Sequence, residues 1–268
     1  MEILNFENVR LEFDGALASL VLADADRLNA LSPDMVEGVQ AALREIAKPR
    51  RGVRCLMVTG EGRGFCAGAN LSRRRTEASE GKPSSAGSAV ESIFHPMIRK
   101  LRDVEVPVVA AVNGACVGIG VSIALLADYV IAADKAYFLV PFRNLASSTD
   151  SGLTWLLPRA IGPARARQLV MRAERLPAET ALQWGMINEV APVEGFAGAA
   201  RKVAQEFADG PTVALGLMRR LVQDSATTGL DAHMEAEARG VLKTSRTQDN
   251  ATAIKAFGSK APVTFVGS

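Results

Sequence analysis

Apolar and polar positions alternate along this chain in two periods, one that predicts short strands and one that predicts helices. Residues 8–23 read as two short strands around a turn at Asp14-Gly15, a hairpin signal. Ser32-Pro33-Asp34 then opens a helix, with a capping hydroxyl, proline at the first helical position and an acid in the first turn. Val36, Val39, Leu43 and Ile46 give that helix one apolar stripe. Val53 to Thr59 is a short buried strand that runs into the glycine-rich stretch Gly60 to Gly64. Residues 72–89 carry few apolar side chains and predict a mobile loop. Val90, Ile93, Phe94, Met97 and Leu101 follow as a helical stripe, which Pro96 must start or kink.

Val106 to Ala127 is a run of 22 residues without charge, long enough for a membrane helix. Pro107, Asn113, Gly114, Gly118 and Gly120 divide it, so it predicts a buried strand, a glycine turn and a buried helix. A strand pair is expected near 129–133 and 136–140. Beyond residue 150 the pattern is mostly helical, over 164–173, 178–184, 194–209, 211–224 and 230–247. Strand–strand–helix units first and helices last predict an α/β fold with a helical tail.

Composition narrows the function classes. A chain of 268 residues with 48% hydrophobic and 22% charged positions can bury a large core in one domain, with or without a small appendage. A net charge of +2 and 5% aromatics offer neither the basic patch nor the stacking platform of a nucleic-acid binder. Cys55, Cys66 and Cys116 have no metal-ligand spacing and read as reduced, small apolar residues of a cytoplasmic protein. His95 and His233, the two histidines, are far apart in sequence, so no metal site is expected. The N-terminus has an acid at position 2 and no apolar stretch, unlike a signal peptide.

Two strand-to-helix corners are candidates for chemistry. One is Phe65-Cys66-Ala67-Gly68-Ala69-Asn70-Leu71; the other runs from Asn113 and Gly114 to Gly118, Ile119 and Gly120. Small residues let backbone approach a ligand, and helix starts carry free N–H groups. The same glycines would also serve tight helix–sheet packing. The second corner lacks the G-x-G-x-x-G spacing of a dinucleotide site, and neither corner carries a Walker A lysine or a nucleophile elbow.

Asp26-Arg-Leu-Asn-Ala-Leu31, Phe65 to Leu71, Pro107 to Gly114 with Gly118 and Gly120, and Ala127-Asp128 resemble, in order, signatures of the enoyl-CoA hydratase/isomerase (crotonase) family. Trp155-Leu-Leu-Pro-Arg159, Gly162, Ala181, Gly185 and Met186 to Val190 extend the resemblance to about residues 5–260. It implies a crotonase-like spiral of ββα units over 1–200 and a C-terminal helical trimerisation region over 201–268, assembled as a homotrimer or homohexamer. It also implies an acyl-CoA thioester as substrate, with no further cofactor. The thioester carbonyl would sit between the backbone N–H groups of Ala69 and Ile119, where most members carry glycine in place of the isoleucine. Arg27, Asn29, Ala67, Gly68, Asn70, Leu71, Gly118, Phe142, Phe257 and Lys260 match substrate- or CoA-lining positions. Arg73, Arg74 and Arg75 fit a phosphate contact or a solvated charge run.

The departures concern acid/base residues. The two glutamates of the family's hydratases fall on Ser122 and Phe142, and neither side chain moves a proton at neutral pH. Asp150 falls where aspartate-using isomerase members keep their catalytic carboxylate. A helix N-cap is the other role that fits Asp150, because a predicted helix follows at once. The family's 4-chlorobenzoyl-CoA dehalogenase resembles this chain at His95 and Asp150, while its active-site tryptophan corresponds to Phe142. Surface or subunit contact is the plainer role for His95.

Overall fold

The computed structural model describes residues 1–259 and 263–268. It opens with three strands paired antiparallel in chain order, β1 (Glu2–Phe6), β2 (Val9–Asp14) and β3 (Leu17–Leu22). The turn expected at Asp14-Gly15 joins β2 to β3, and β1 adds an outer strand beyond the expected hairpin. Helix α1 (Pro33–Ile46) starts as predicted: the Ser32 hydroxyl accepts the Met35 N–H at 3.1 Å, and Val36, Val39, Leu43 and Ile46 are buried.

Three strand–strand–helix turns follow. The first comprises β4 (Cys55–Gly60), β5 (Gly64–Cys66), α2 (Ser72–Ser79), α3 (Ala86–Ala89), a π-helical turn (Val90–Phe94) and α4 (His95–Arg102). The second is β6 (Val108–Val112), β7 (Ala115–Val117) and α5 (Ile119–Leu125). The third is β8 (Tyr129–Ala133), β9 (Tyr137–Leu139) and α6 (Leu153–Arg172). Then come β10 (Leu176–Pro177), α7 (Ala178–Gln183) and β11 (Glu189–Ala191). Helices α8 (Phe196–Ala208), α9 (Thr212–Ser225), α10 (Leu230–Thr244) and α11 (Gln248–Ser259) complete the order.

Each turn gives its first strand to a seven-stranded sheet, β1-β2-β3-β4-β6-β8-β11, and its second to a four-stranded sheet, β10-β9-β7-β5. Successive turns pair parallel, β4 to β6 to β8 and β5 to β7 to β9. This is the expected ββα spiral with a helical C-terminal region.

Three expectations are corrected. The strands at 129–133 and 137–139 exist but do not pair, because β6 and β11 occupy both edges of β8 and a turn at Ala133–Ala136 carries the chain into the other sheet. Residues 72–89 are not one loop. Helix α2 forms there with its start satisfied, the Asn70 Oδ1 accepting the Ser72 N–H at 3.0 Å. The Glu77 carboxylate of α2 accepts the N–H and hydroxyl of Ser85 at the start of α3, which ties the two helices together. The helical pattern also continues past 247 into α11. The uncharged run at 106–127 folds as β6, β7 and α5, and among the described residues no helix is long and apolar enough to cross a membrane. Helix α8 spans residues 200 and 201 and buries Phe196, Ala200, Ala204 and Ala208, one per turn.

One buried cation ties the helical region to the spiral. The Arg219 guanidinium of α9, its side chain 2% exposed, donates to Asp128 Oδ2 at 2.6 Å. It also donates to the carbonyls of Leu101, Arg102, Val104 and Leu126 at 3.1–3.3 Å. The other task of Asp128 is to accept the Val108 N–H at 2.7 Å, at the start of β6. Removing one partner of such a pair leaves desolvated acceptors and a lone charge, a loss of about 3–5 kcal/mol. Arg219→Leu is therefore expected to lower unfolding free energy by that amount in urea titrations, and a change below about 1 kcal/mol would refute the anchor role.

Candidate active site

Backbone contacts without room for a side chain build the site. A Cβ on Gly114, at the second corner, would lie 2.1 Å from the Arg63 carbonyl oxygen of the first. Two asparagines hold that approach. Asn113 accepts the Gly60 N–H at 3.2 Å and donates to the carbonyls of Gly62 and Gly64 at 2.9 and 3.1 Å. Asn29 donates to the carbonyls of Glu61 and Gly64 at 3.0 and 2.7 Å and accepts the Asp24 N–H at 2.9 Å. Asn29, expected along the CoA site, is fully buried, and its amide is spent on holding the loop.

The N–H groups at the corners follow from local geometry. Leu31 bridges the first corner, donating to Gly68 O at 2.8 Å and accepting from Asn70 N at 2.9 Å, which leaves the Ala69 N–H on the opposite edge of the strand. At the second corner Gly118 adopts φ 55° and ψ −119°, a conformation that L side chains rarely take, and Ile119 opens α5. The first N–H of a helix has no partner within it.

A cavity of about 90 Å³ lies between these corners, lined by Ala67, Gly68, Ala69, Leu71, Phe94, Val117, Gly118, Ile119, Pro141, Phe142, Leu145 and Asp150. Of the residues expected at the site, it therefore gathers Asp150, Ala69, Ile119, Ala67, Gly68, Leu71, Gly118 and Phe142. Asp150 does not occupy the N-cap position of α6, although its backbone carbonyl accepts the Leu153 N–H at 3.1 Å. The N-cap is Gly152, without a side-chain hydrogen bond there, and Asp150 stands two residues earlier. Between them the buried Ser151 takes the left-handed φ of 56°, a strained conformation of a kind that concentrates at functional sites.

Other expected residues lie elsewhere. Arg27 is largely exposed and pairs with Asp24 at 3.2 Å. Asn70 turns its side chain onto Ser72 and does not line the cavity. Phe257 is 89% exposed on α11. Lys260 falls outside the described residues, as do the side chains of Arg73 and Arg74; Arg75 is exposed. His95 is half-buried and its neighbour Phe94 is the cavity-lining residue. Ser122 is fully buried, and its hydroxyl has no protein partner among the described residues.

The sequence reading missed Phe94, Val117, Pro141 and Leu145 as wall residues. In the sequence Phe94 belongs to a helix stripe and Val117 sits inside the second corner without a distinguishing mark, while Pro141 and Leu145 carry no pattern that marks a pocket.

A sequence model described as enoyl-CoA hydratase/isomerase matches residues 12–268. The chain belongs to the enoyl-CoA hydratase/isomerase family. It is 36% identical over 249 residues to the 1,2-epoxyphenylacetyl-CoA isomerase of Escherichia coli K12, covering 93% of this chain and 94% of that protein. It is 32% identical to a probable enoyl-CoA hydratase of Rhodobacter capsulatus, over 98% of this chain and 100% of the relative. A solved enoyl-CoA hydratase/isomerase of Mycobacterium abscessus, named putative, superposes with a TM-score of 0.90 at 33% identity, covering 97% of this chain and 100% of that one.

In this family member the cysteines near the site are packing residues. Cys66 of β5 and Cys116 of β7 are register partners, and with Cys55 all three are buried. Burial pushes the Cys55 and Cys66 thiols up to about 12, with Asp128 adding to the effect at Cys55. Burial raises Cys116 as well. Thiolate is the reactive form, so none of the three is expected to react with a thiol-specific disulfide reagent at pH 8 until the protein unfolds. Because the folded values lie above the ordinary 9.0, the stabilisation from these protonated thiols is complete below pH 9 and lost as pH rises toward about 12. Replacing Cys55 and Cys66 with alanine should flatten part of that decline in unfolding free energy.

Proposed function

We propose that this protein is an acyl-CoA isomerase that moves a double bond, with Asp150 as the single proton carrier. The observation that carries the reading is that, among the described residues, Asp150 is the one ionisable residue lining the cavity formed by the Ala69 and Ile119 corners. The Asp150 carboxylate takes a proton from the carbon between the thioester carbonyl and the double bond of a 3-enoyl-CoA. Negative charge moves onto the thioester oxygen, where the N–H groups of Ala69 and Ile119 hold it, each worth roughly 3 kcal/mol of barrier. Asp150 then delivers the proton to the far carbon of the allylic system. The carboxylate is regenerated and no water is consumed. Acyl-CoA enters as substrate, and the step needs no further cofactor.

Hydration of an enoyl-CoA calls for a group to deprotonate water and another to protonate carbon. The buried Ser122 and the apolar Phe142, at the two positions where the hydratases carry glutamate, supply neither. A dehalogenase-like reaction would need His95 at the cavity, whose wall is formed instead by Phe94. The similarity to a 1,2-epoxyphenylacetyl-CoA isomerase also favours isomerisation.

The test is conversion of a 3-enoyl-CoA to its 2-enoyl isomer. Asp150→Asn should lower turnover by about 10²–10⁴-fold and abolish deuterium wash-in at the α and γ carbons. Unchanged turnover in the mutant would sink the assignment.

We further propose that CoA runs past residues 67–71 and Arg27, with Phe257 and Lys260 contributed across a subunit contact. Exposed Met218, Val222, Val241, Leu242, Ile254 and Phe257 on α9, α10 and α11 support burial of this region in a homotrimer or homohexamer. Light scattering should then give a mass three or six times 28.4 kDa, whereas a monomer would refute the assembly.

A further inference from the structure

Resting on the reading of this cavity as the acyl pocket, we infer that Phe142 and Phe94 are specificity-determining residues that restrict the substrate to a short aliphatic acyl chain. The cavity volume is about 90 Å³. A closed protein cavity that holds benzene measures about 150 Å³, and the smaller space between these walls favours a short chain over a ring or a long chain.

Both rings are held by the backbone that carries them. Phe142 opens a one-turn 3₁₀ helix, Phe142–Leu145, and its carbonyl accepts the Ser147 N–H at 3.0 Å. The next residue, Arg143, donates to the Met171 carbonyl at 3.1 Å and so ties the turn to α6. The tip of the Phe142 ring stands 3.9 Å from where a Cβ on Gly118 would lie, directly against the second corner. Phe142 is 9% exposed, so its ring is packed on the sides that do not face the cavity.

Phe94 owes its position to a proline. Pro96 has no N–H for the Ser92 carbonyl, and its ring crowds that carbonyl, so a regular helical turn cannot run through it. The chain instead makes the π-helical turn Val90–Phe94, closed by the His95 N–H on the Val90 carbonyl. That turn hands Phe94 to the cavity while Met97 and Leu101 continue the buried face of α4. Leu71, Pro141 and Leu145 fill the remaining wall with apolar surface.

The test is calorimetric titration of the full chain with butyryl-CoA, decanoyl-CoA and phenylacetyl-CoA, none of which needs turnover. Hydrophobic burial by itself favours the longer chain, so a preference for the shorter one reports a wall. Wild type should bind butyryl-CoA at least about ten-fold more tightly than either larger thioester. Phe142→Ala and Phe94→Ala should each close or reverse that gap, and Phe142→Leu should give an intermediate shift if the alanine variant does not fold. Equal binding of all three thioesters by wild type overturns the inference, as does a preference unchanged in the variants. Absence of binding by any of them overturns the acyl-pocket reading as well. If discrimination is present while Asp150→Asn keeps full isomerase turnover, the isomerase assignment falls and the size limit stands.

Discussion

The contact on which the site depends is between two stretches of backbone. Where Gly114 passes Arg63, a single added carbon would overlap a carbonyl oxygen at 2.1 Å, so the spiral closes only with hydrogen at that position. The parallel pairing of β5 with β7 needs this approach, and so does the placement of Ala69 beside Ile119. Asn29 and Asn113 satisfy the carbonyls that the approach would otherwise strand, and both converge on the Gly64 oxygen. Buried polar groups without partners are costly, so these amides are as much a condition of the corner as the glycine.

The spiral sets the rest by translation. Each turn sends one strand to the large sheet and one to the small, and the second strand ends at the cavity. Asp150 arrives from the third turn, through the left-handed Ser151 and Gly152 that precede α6. The carboxylate therefore comes from a different turn than either N–H corner. Such an arrangement can hold an oxygen at one place and move a proton at another, which suits allylic transfer within one bound acyl group. The apolar wall works in the same direction, because low-polarity surroundings strengthen interactions with the developing charge.

The C-terminal helices are connected to this machinery by Arg219 and Asp128. A guanidinium this buried contributes geometry more than net stability, since its desolvation offsets much of its attraction. Its five contacts to four carbonyls and a carboxylate admit one placement of α9 against the start of β6. The apolar faces of α9 to α11 are thereby presented outward in a fixed orientation.

Local chemistry determined what could be read from the sequence alone. Ser32-Pro33-Asp34 starts α1 because capping is a contact between near neighbours, and the all-apolar strand 108–112 could only be interior. Ordered motifs brought Ala69, Ile119 and Asp150 forward as site residues. Only the tertiary structure decided that these three line one cavity, that Asn29 clamps the loop, and that β8 and β9 belong to different sheets. It also decided that Phe94 faces the pocket in place of His95. A π turn shifts the helical face by part of a residue step, and no periodicity count along the chain registers it. The closing of a cavity from segments up to 83 positions apart, Ala67 to Asp150, is a property of the packed spiral, which no short window of sequence contains.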